Sequence, residues 1–268
     1  MLHLKASALA AFILIGSGCA SGVASAASSQ QTNHPHANAT LFAMGEAGAE
    51  LLRIDLVKKT VDPVGPTGVA PKSLALAISP GWRTAYTVAH TQDPALAHLA
   101  KIDLDTGAET MAGSEPIGLN LYVMGMALSR SGGLYAAGDF TPTSPTFNSL
   151  YKIDTTTGLA TRIGSFGVGK AKMDFIMSLS FDPSGQLYGA SQKSIYRIDP
   201  ATGRASKVVD IVGATRVMGL AFDQQGKLFA SDFIPLPNGS TIYSVDLTTG
   251  QFTPVIQTSV ALVHNIAF

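Results

Sequence analysis

The feature that most constrains the fold of this chain is a five-fold internal repeat. One short segment recurs as LLRID, LAKID, LYKID, IYRID and IYSVD. Its aspartates are separated by 48, 51, 45 and 47 residues, and they are Asp55, Asp103, Asp154, Asp199 and Asp246. A fixed period of this length is typical of repeat architectures in which each unit buries its apolar face against a neighbour.

Each repeat carries signals for four short strands. A segment such as MSLSFD at Met177 precedes each of the last four aspartate segments, and a segment such as QLYGAS lies between the two. In the first strands, large and small residues alternate with a period of two, which is the strand period and not the helical one. The large positions are Leu76, Met126, Leu179, Leu220 and Ile266, then Ile78, Leu128, Phe181, Phe222 and Phe268. We therefore expect the large side chains of one sheet to enter the small-residue face of the next.

The two ends of the repeat region complete each other. The first unit begins at Thr40 with a second strand, whereas the final HNIAF is a first strand with nothing after it. Pairing the two leaves no open sheet edge at the seam. The sequence predicts an all-β fold, a single five-bladed β-propeller of four-stranded blades over residues 40–268, closed by pairing of the C-terminal strand with the N-terminal blade.

The repeated aspartates look like a catalytic array but fit turn chemistry better. In four copies the aspartate is followed by x-x-Thr-Gly, ending at Gly107, Gly158, Gly203 and Gly250. The carboxylate can accept hydrogen bonds from amides two residues further on, and glycine supplies the positive φ of a tight hairpin. The first copy has Val57-Lys58-Lys59 in this place, so we expect a less rigid turn there.

The N-terminus is typical of a bacterial export signal. Lys5 precedes a short apolar stretch and small residues, which predicts a signal peptide over residues 1–26 and a flexible spacer over residues 27–39. Two cleavage sites compete, Ala24-Ser25-Ala26 and a lipobox ending at Cys19. Cys19 is the only cysteine, so it would be the lipidation site and the only membrane tether. The predicted location is the periplasm, the outer membrane as a lipoprotein, or the exterior.

The amino-acid composition limits which classes of partner are expected. Lys and Arg number 18, Asp and Glu also number 18, and 13% of the residues are charged, so no nucleic-acid partner is expected. Hydrophobic residues make up 46%, which excludes a disordered chain. We expect a monomer, with a protein, glycan or small molecule as its partner.

The repeated LYxIDxxTG and (G/S)LxFDxxGxLY elements resemble those of exported bacterial propellers of the broad NHL, YVTN and quinoprotein-like group. The resemblance implies the fold, but the group includes binding and scaffold modules as well as lactonases and lyases. Quinoprotein repeats carry a tryptophan shortly after the Thr-Gly turn. The single tryptophan here, Trp82, lies elsewhere, which disfavours a quinone cofactor.

Propeller topology predicts a site at the axial mouth where first strands begin and second strands end. The candidate ligand-binding residues there are Lys72, His90, Tyr122, Asp139, Asp174, Arg216, Asp232 and His264. Carboxylates favour a hard cation and histidines a softer one, but no triad order or spaced metal motif is present. We expect a non-catalytic binding or scaffolding module without a cofactor. The alternative is a lactonase-like, metal-assisted hydrolase or lyase that uses a divalent cation.

Overall fold

The protein forms five antiparallel sheets of four strands each. The computed structural model describes residues 39–45, 49–67, 74–79, 84–89, 97–118, 123–139, 141, 143–168 and 175–268. The described residues form twenty strands joined by turns, and no helix occurs among them. In the part of the chain described, therefore, no helix is long and apolar enough to cross a membrane. The predicted five-bladed β-propeller is confirmed.

The blades follow one another along the chain, each from its inner to its outer strand. Blade 1 contains β20 (Ile266–Ala267), β1 (Thr40–Gly45), β2 (Glu50–Asp55) and β3 (Thr60–Pro66). Blade 2 contains β4 (Leu76–Ile78), β5 (Ala85–Ala89), β6 (His98–Ile102) and β7 (Glu109–Pro116). Blade 3 contains β8 (Gly125–Leu128), β9 (Leu134–Gly138), β10 (Ser149–Ile153) and β11 (Ala160–Ser165). Blade 4 contains β12 (Ser178–Phe181), β13 (Leu187–Ala190), β14 (Ser194–Ile198) and β15 (Ala205–Asp210). Blade 5 contains β16 (Val217–Phe222), β17 (Leu228–Asp232), β18 (Thr241–Val245) and β19 (Phe252–Gln257).

The ring closes through the C-terminal strand, as predicted. The inner strands contact one another in the order β4, β8, β12, β16, β20 and back to β4. Strand β20 pairs with β1 in the register Phe42 to Ala267 and Ala43 to Ile266. The Met44 amide donates to the main-chain oxygen of Asn265 at 2.9 Å, and the His264 amide donates to the main-chain oxygen of Met44 at 2.8 Å.

The large inner-strand side chains pack on the small-residue face of an adjacent blade. Phe222 of blade 5 lies in one apolar cluster with Tyr188 and Ala190 of blade 4, and its ring is 5.0 Å from that of Tyr188. The corresponding contact joins Phe181 of blade 4 to Tyr135 of blade 3, with the ring centroids 5.5 Å apart. The neighbour is thus the blade that precedes in the chain, and the axis is surrounded by interdigitated side chains.

The repeated aspartates shape turns, as predicted. Asp103 Oδ1 accepts hydrogen bonds from the amides of Asp105 at 2.9 Å and Thr106 at 2.8 Å. In the divergent first copy Asp55 Oδ1 accepts the same two bonds, from Val57 and Lys58, and Lys59 takes the positive φ of 57°. Hydrogen bonds donated by turn amides, and in the four Thr-Gly copies also by threonine hydroxyls, hold the pKa of each of the five carboxyl groups below its ordinary value.

These turns predict an acid-sensitive fold. Because the folded-state pKa of each carboxyl is lowered, its stabilising contribution is complete above about pH 4 and is lost as the pH falls through the folded value. We expect Asp154→Asn to flatten the dependence of Tm on pH between about 2 and 5, since the amide keeps an acceptor but does not titrate. Asp62→Asn, on exposed strand β3 outside the turns, is the matched control. An unchanged slope for Asp154→Asn would contradict the assignment.

The same turns connect neighbouring blades along the outer edge. Gly203 of the blade 4 turn lies against Gly164 in β11 of blade 3, and a Cβ at Gly203 would be 2.7 Å from the Gly164 oxygen. Gly107 has the corresponding contact with Gly65 of blade 1, where the distance would be 2.6 Å. Glycine at these turns therefore serves both the positive φ and the close approach of two backbones.

Candidate functional site

The predicted mouth is described only in part. Lys72, His90, Tyr122 and Asp174 lie outside the described residues, as do Cys19 and residues 1–26. Asp139, Arg216, Asp232 and His264 are described, so the predicted ligand set stays a prediction in which four positions have known surroundings.

Asp139 organises its own loop. It is 1% exposed and has a positive φ of 63°. Its carboxylate accepts hydrogen bonds from the Thr141 amide at 3.2 Å, from the Ser144 hydroxyl at 2.5 Å and from the Thr146 hydroxyl. Three donors from residues 141–146 therefore surround the group, which gives Asp139 a structural role in the loop between β9 and β10.

Arg216 and His264 both contact a residue that the sequence interpretation did not include, Phe233, which is next to Asp232 in the chain. The Phe233 amide donates to the Arg216 oxygen at 3.0 Å, and Phe233 follows Asp232 directly. The His264 ring meets the Phe233 ring edge to face at 5.3 Å, and His264 is 2% exposed. No sequence motif marks Phe233, because the contact joins blade 5 to the segment before β20.

Asp232 is held by two donors of blade 5. Its Oδ1 accepts from the Thr241 amide at 2.7 Å, and its Oδ2 accepts from the Tyr243 hydroxyl at 2.7 Å. Burial raises the pKa of Asp232 above its ordinary value, against the effect of these hydrogen bonds. Burial, together with this hydrogen bond to Asp232, raises the pKa of Tyr243 to about 12. Among the described residues, no group of three or more His, Cys, Asp or Glu is arranged to hold a metal ion.

A cavity of about 230 Å³ lies on the axis at the opposite mouth, where the first strands end. All five inner strands line it. Its outer wall consists of the second large position of each strand, Ile78, Leu128, Phe181, Phe222 and Phe268. The alternating pattern predicted these residues as blade-packing residues, but their position around one shared cavity depends on ring closure.

Two buried polar residues, Ser178 and Asn265, lie one position before the inner wall of the cavity. The Asn265 side-chain amide donates to the Met124 oxygen, although blades 1 and 3 are not adjacent in the ring. Asn265 and Ser178 are both fully buried at this level. The lining residues begin one position further along, at Leu76, Met126, Leu179, Leu220 and Ile266. Asn265 therefore spans the axis at the inner end of the cavity.

The rim of the cavity consists of the turns that follow the inner strands. Arg130, Asp182, Asp223 and Gln224 contribute to it. Asp182 Oδ1 accepts from the Gln186 amide at 2.8 Å, and Asp223 Oδ1 accepts from the Lys227 amide at 2.8 Å. The Asp-x-x-Gly sequences of these turns fix the backbone and leave charged groups at the opening of the cavity.

Comparison with protein families identifies a repeat family. A family model described as "Repeat of unknown function (DUF6923)" matches residues 134–267. A search of curated proteins finds no match.

Three solved structures are similar at low identity. A symmetrical protein, from work on its de novo evolutionary emergence under folding constraints, is 17% identical with a TM-score of 0.51, over 85% of this chain and 97% of that one. A gluconolactonase of Xanthomonas campestris is 15% identical with a TM-score of 0.47, over 87% and 85%. Hydrazine synthase of Kuenenia stuttgartiensis is 14% identical with a TM-score of 0.43, over 73% of this chain and 50% of that one, so the chain spans half the length of that relative. At such low identity a likeness concerns the fold alone, and of these three only the symmetrical protein has a TM-score above 0.5.

Proposed function

The chain belongs to the family described as a repeat of unknown function (DUF6923), and we propose that it is an exported, non-catalytic binding module whose ligand enters the axial cavity. The observation that carries this proposal is the cavity itself, since every blade contributes wall residues to it. Concave, mostly apolar sites with few polar groups are the usual form of small-molecule sites.

The surroundings of the described carboxylates also favour binding over catalysis. Asp139 accepts hydrogen bonds from its own loop, and Asp232 accepts them from strand β18, which favours structural roles for both. A general base or metal ligand needs an oxygen that can face the substrate or ion. Export rests on the signal-like residues 1–26, and a lipid at Cys19 would hold the monomer at a membrane.

A small apolar probe tests the cavity directly. We expect fluorobenzene, followed by ¹⁹F NMR, to bind the purified protein saturably, because engineered apolar cavities of about 150 Å³ bind benzene. Leu128→Trp should abolish binding by filling the cavity from blade 3. Leu159→Trp is the matched control, since Leu159 is 45% exposed on an outer turn.

Two results would overturn the proposal. The first is no saturable binding of fluorobenzene, or binding that Leu128→Trp leaves unchanged while the protein stays folded by circular dichroism. The second is a stoichiometric, tightly held divalent cation in the purified protein together with hydrolase or lyase activity that a chelator removes. That result would favour the metal-assisted enzyme.

A further inference from the structure

The rim of the axial cavity carries charges of both signs on three consecutive blades. Arg130 lies in the turn after β8 of blade 3, Asp182 in the turn after β12 of blade 4 and Asp223 in the turn after β16 of blade 5. Arg130 is exposed, Asp182 is half-buried and Asp223 is buried. A cavity with large apolar side chains in its walls is thus bordered at its opening by one cation and two carboxylates.

Each of the two rim carboxylates, Asp182 and Asp223, has one oxygen that can accept a hydrogen bond from a ligand. The hydrogen bonds to Asp182 come from the Ser184 hydroxyl at 2.7 Å and the Gln186 amide, and both end on Oδ1. The bonds to Asp223 come from the amides of Gln225 at 2.9 Å and Lys227, and they also end on Oδ1. Among the contacts described for these turns, none ends on either Oδ2. The turn is therefore held by one oxygen while the other can accept from a bound group.

These charges restrict which ligand can cover the mouth. A neutral hydrocarbon would exclude water from three charged groups without replacing the lost hydration. A lone anion would lie beside two carboxylates of like charge, and a lone cation would lie beside the Arg130 guanidinium of like charge, so each would be repelled by part of the rim. A ligand with both charges can pair its ammonium with a carboxylate and its carboxylate with the guanidinium.

The size of the cavity restricts the apolar part. A volume of about 230 Å³ is below the roughly 300 to 1,000 Å³ of sites for drug-sized ligands, and above the roughly 150 Å³ that holds a benzene molecule. The walls offer both aliphatic and aromatic side chains, among them Leu128, Phe181 and Phe222. A phenyl ring with a short linker, or a branched aliphatic group, matches this space.

We infer that the axial cavity binds a free apolar α-amino acid, with its side chain in the cavity and its zwitterionic head group against Arg130, Asp182 and Asp223. This inference rests on the proposed function and adds the ligand class to it. The head group selects the ligand, and the side chain supplies the apolar contact.

Four matched compounds test the inference by isothermal titration calorimetry, with NMR for the weakly soluble one. They are L-phenylalanine, phenethylamine, 3-phenylpropanoate and ethylbenzene, which carry both charges, the positive charge, the negative charge and neither charge. We expect L-phenylalanine to bind at least about tenfold more tightly than each of the others, a difference of about 1.4 kcal/mol, since each of the others lacks at least one charge-assisted hydrogen bond to the rim.

Variants at the rim show which charged side chain recognises which charged group of the ligand. Arg130→Gln should remove the preference for L-phenylalanine over phenethylamine, because the group that pairs with the carboxylate is lost. Asp182→Asn with Asp223→Asn should remove the preference over 3-phenylpropanoate, while the amide oxygens still hold the turns. Lys101→Gln, on strand β6 away from the cavity, is the control and should change no preference.

The outcomes separate this inference from the proposed function. Ethylbenzene binding as tightly as L-phenylalanine would overturn the amino-acid inference and support an apolar binding module. Tightest binding of the amine or of the carboxylate would also overturn it. Binding of none of the four compounds would overturn both. A tenfold preference that survives Arg130→Gln in a folded protein would overturn the assigned role of the rim.

Discussion

Deletion of residues 265–268 is expected to abolish the cooperative thermal transition of the native ring. The deleted segment supplies strand β20, whose pairing with β1 is the only strand pairing that joins blade 1 to the C-terminal end of the described chain. Ile266 is 1% exposed and packs in one cluster with Leu41 and Phe229. Phe268 adds a ring contact of 5.4 Å with Phe229.

The minimum loss of stability follows from the buried Ile266 side chain alone. Ile266→Ala should cost about 2 to 5 kcal/mol, which is a lowering of Tm by roughly 5 to 20 °C for a domain of this size. The deletion removes that side chain, the Phe268 ring and the backbone hydrogen bonds of Met44 together. Total stabilities are about 5 to 15 kcal/mol, so the deletion removes much or all of the margin.

A peptide added in trans separates ring opening from a general effect of truncation. A synthetic peptide of residues 258–268 should restore the transition of the shortened chain, because it offers β1 the same partner. The same peptide with Ile266→Asp should not, since it places a charge in the apolar cluster. A shortened chain that melts like the full one, measured by calorimetry, would contradict closure through β20.

Gly203→Ala is expected to lower stability by about 2 to 5 kcal/mol through two separate effects. Gly203 has a φ of 78°, where an L-residue costs about 1 to 2 kcal/mol. The new methyl group would also lie 2.7 Å from the Gly164 oxygen of the preceding blade, which adds about 1 to 3 kcal/mol of overpacking.

Gly132→Ala isolates the first effect. Gly132 has a φ of 86°, and a Cβ there would have no atom within 4 Å. Chemical denaturation should therefore show a clearly larger loss for Gly203→Ala than for Gly132→Ala. Equal losses would mean that blade 3 accommodates a Cβ at Gly203. The close approach of blades 3 and 4 would then contribute nothing to the loss of stability.

The architecture could be predicted from the sequence because its signals are local and repeated. The Asp-x-x-Thr-Gly turns occur four times, and each is made within six residues, as the hydrogen bonds of Asp103 show. Alternation in the inner strands fixed which face was large, for example Phe222 against Ala221. The incomplete units at both ends required a partner for β1, which gave the number of blades.

The site depended on contacts that the sequence does not encode locally. Phe233 meets His264 only because blade 5 and the segment before β20 become neighbours on closure. The hydrogen bond from Asn265 to Met124 crosses the axis between residues 141 positions apart. Asp139 and Asp232 lie at the ends of second strands, but the hydrogen-bond partners of Asp139 are set by the conformation of its loop, and those of Asp232 by the pairing of β17 with β18.

The sequence alone determined that this protein is a closed five-bladed propeller, because strand periodicity and turn chemistry act over a few residues and recur in every repeat. Only the tertiary structure decided that five separate side chains, from Ile78 to Phe268, share one cavity with Arg130, Asp182 and Asp223 at its rim. The reason is geometric: a pattern within a strand states which side chains share a face, whereas the space between strands of different blades exists only after the ring has closed.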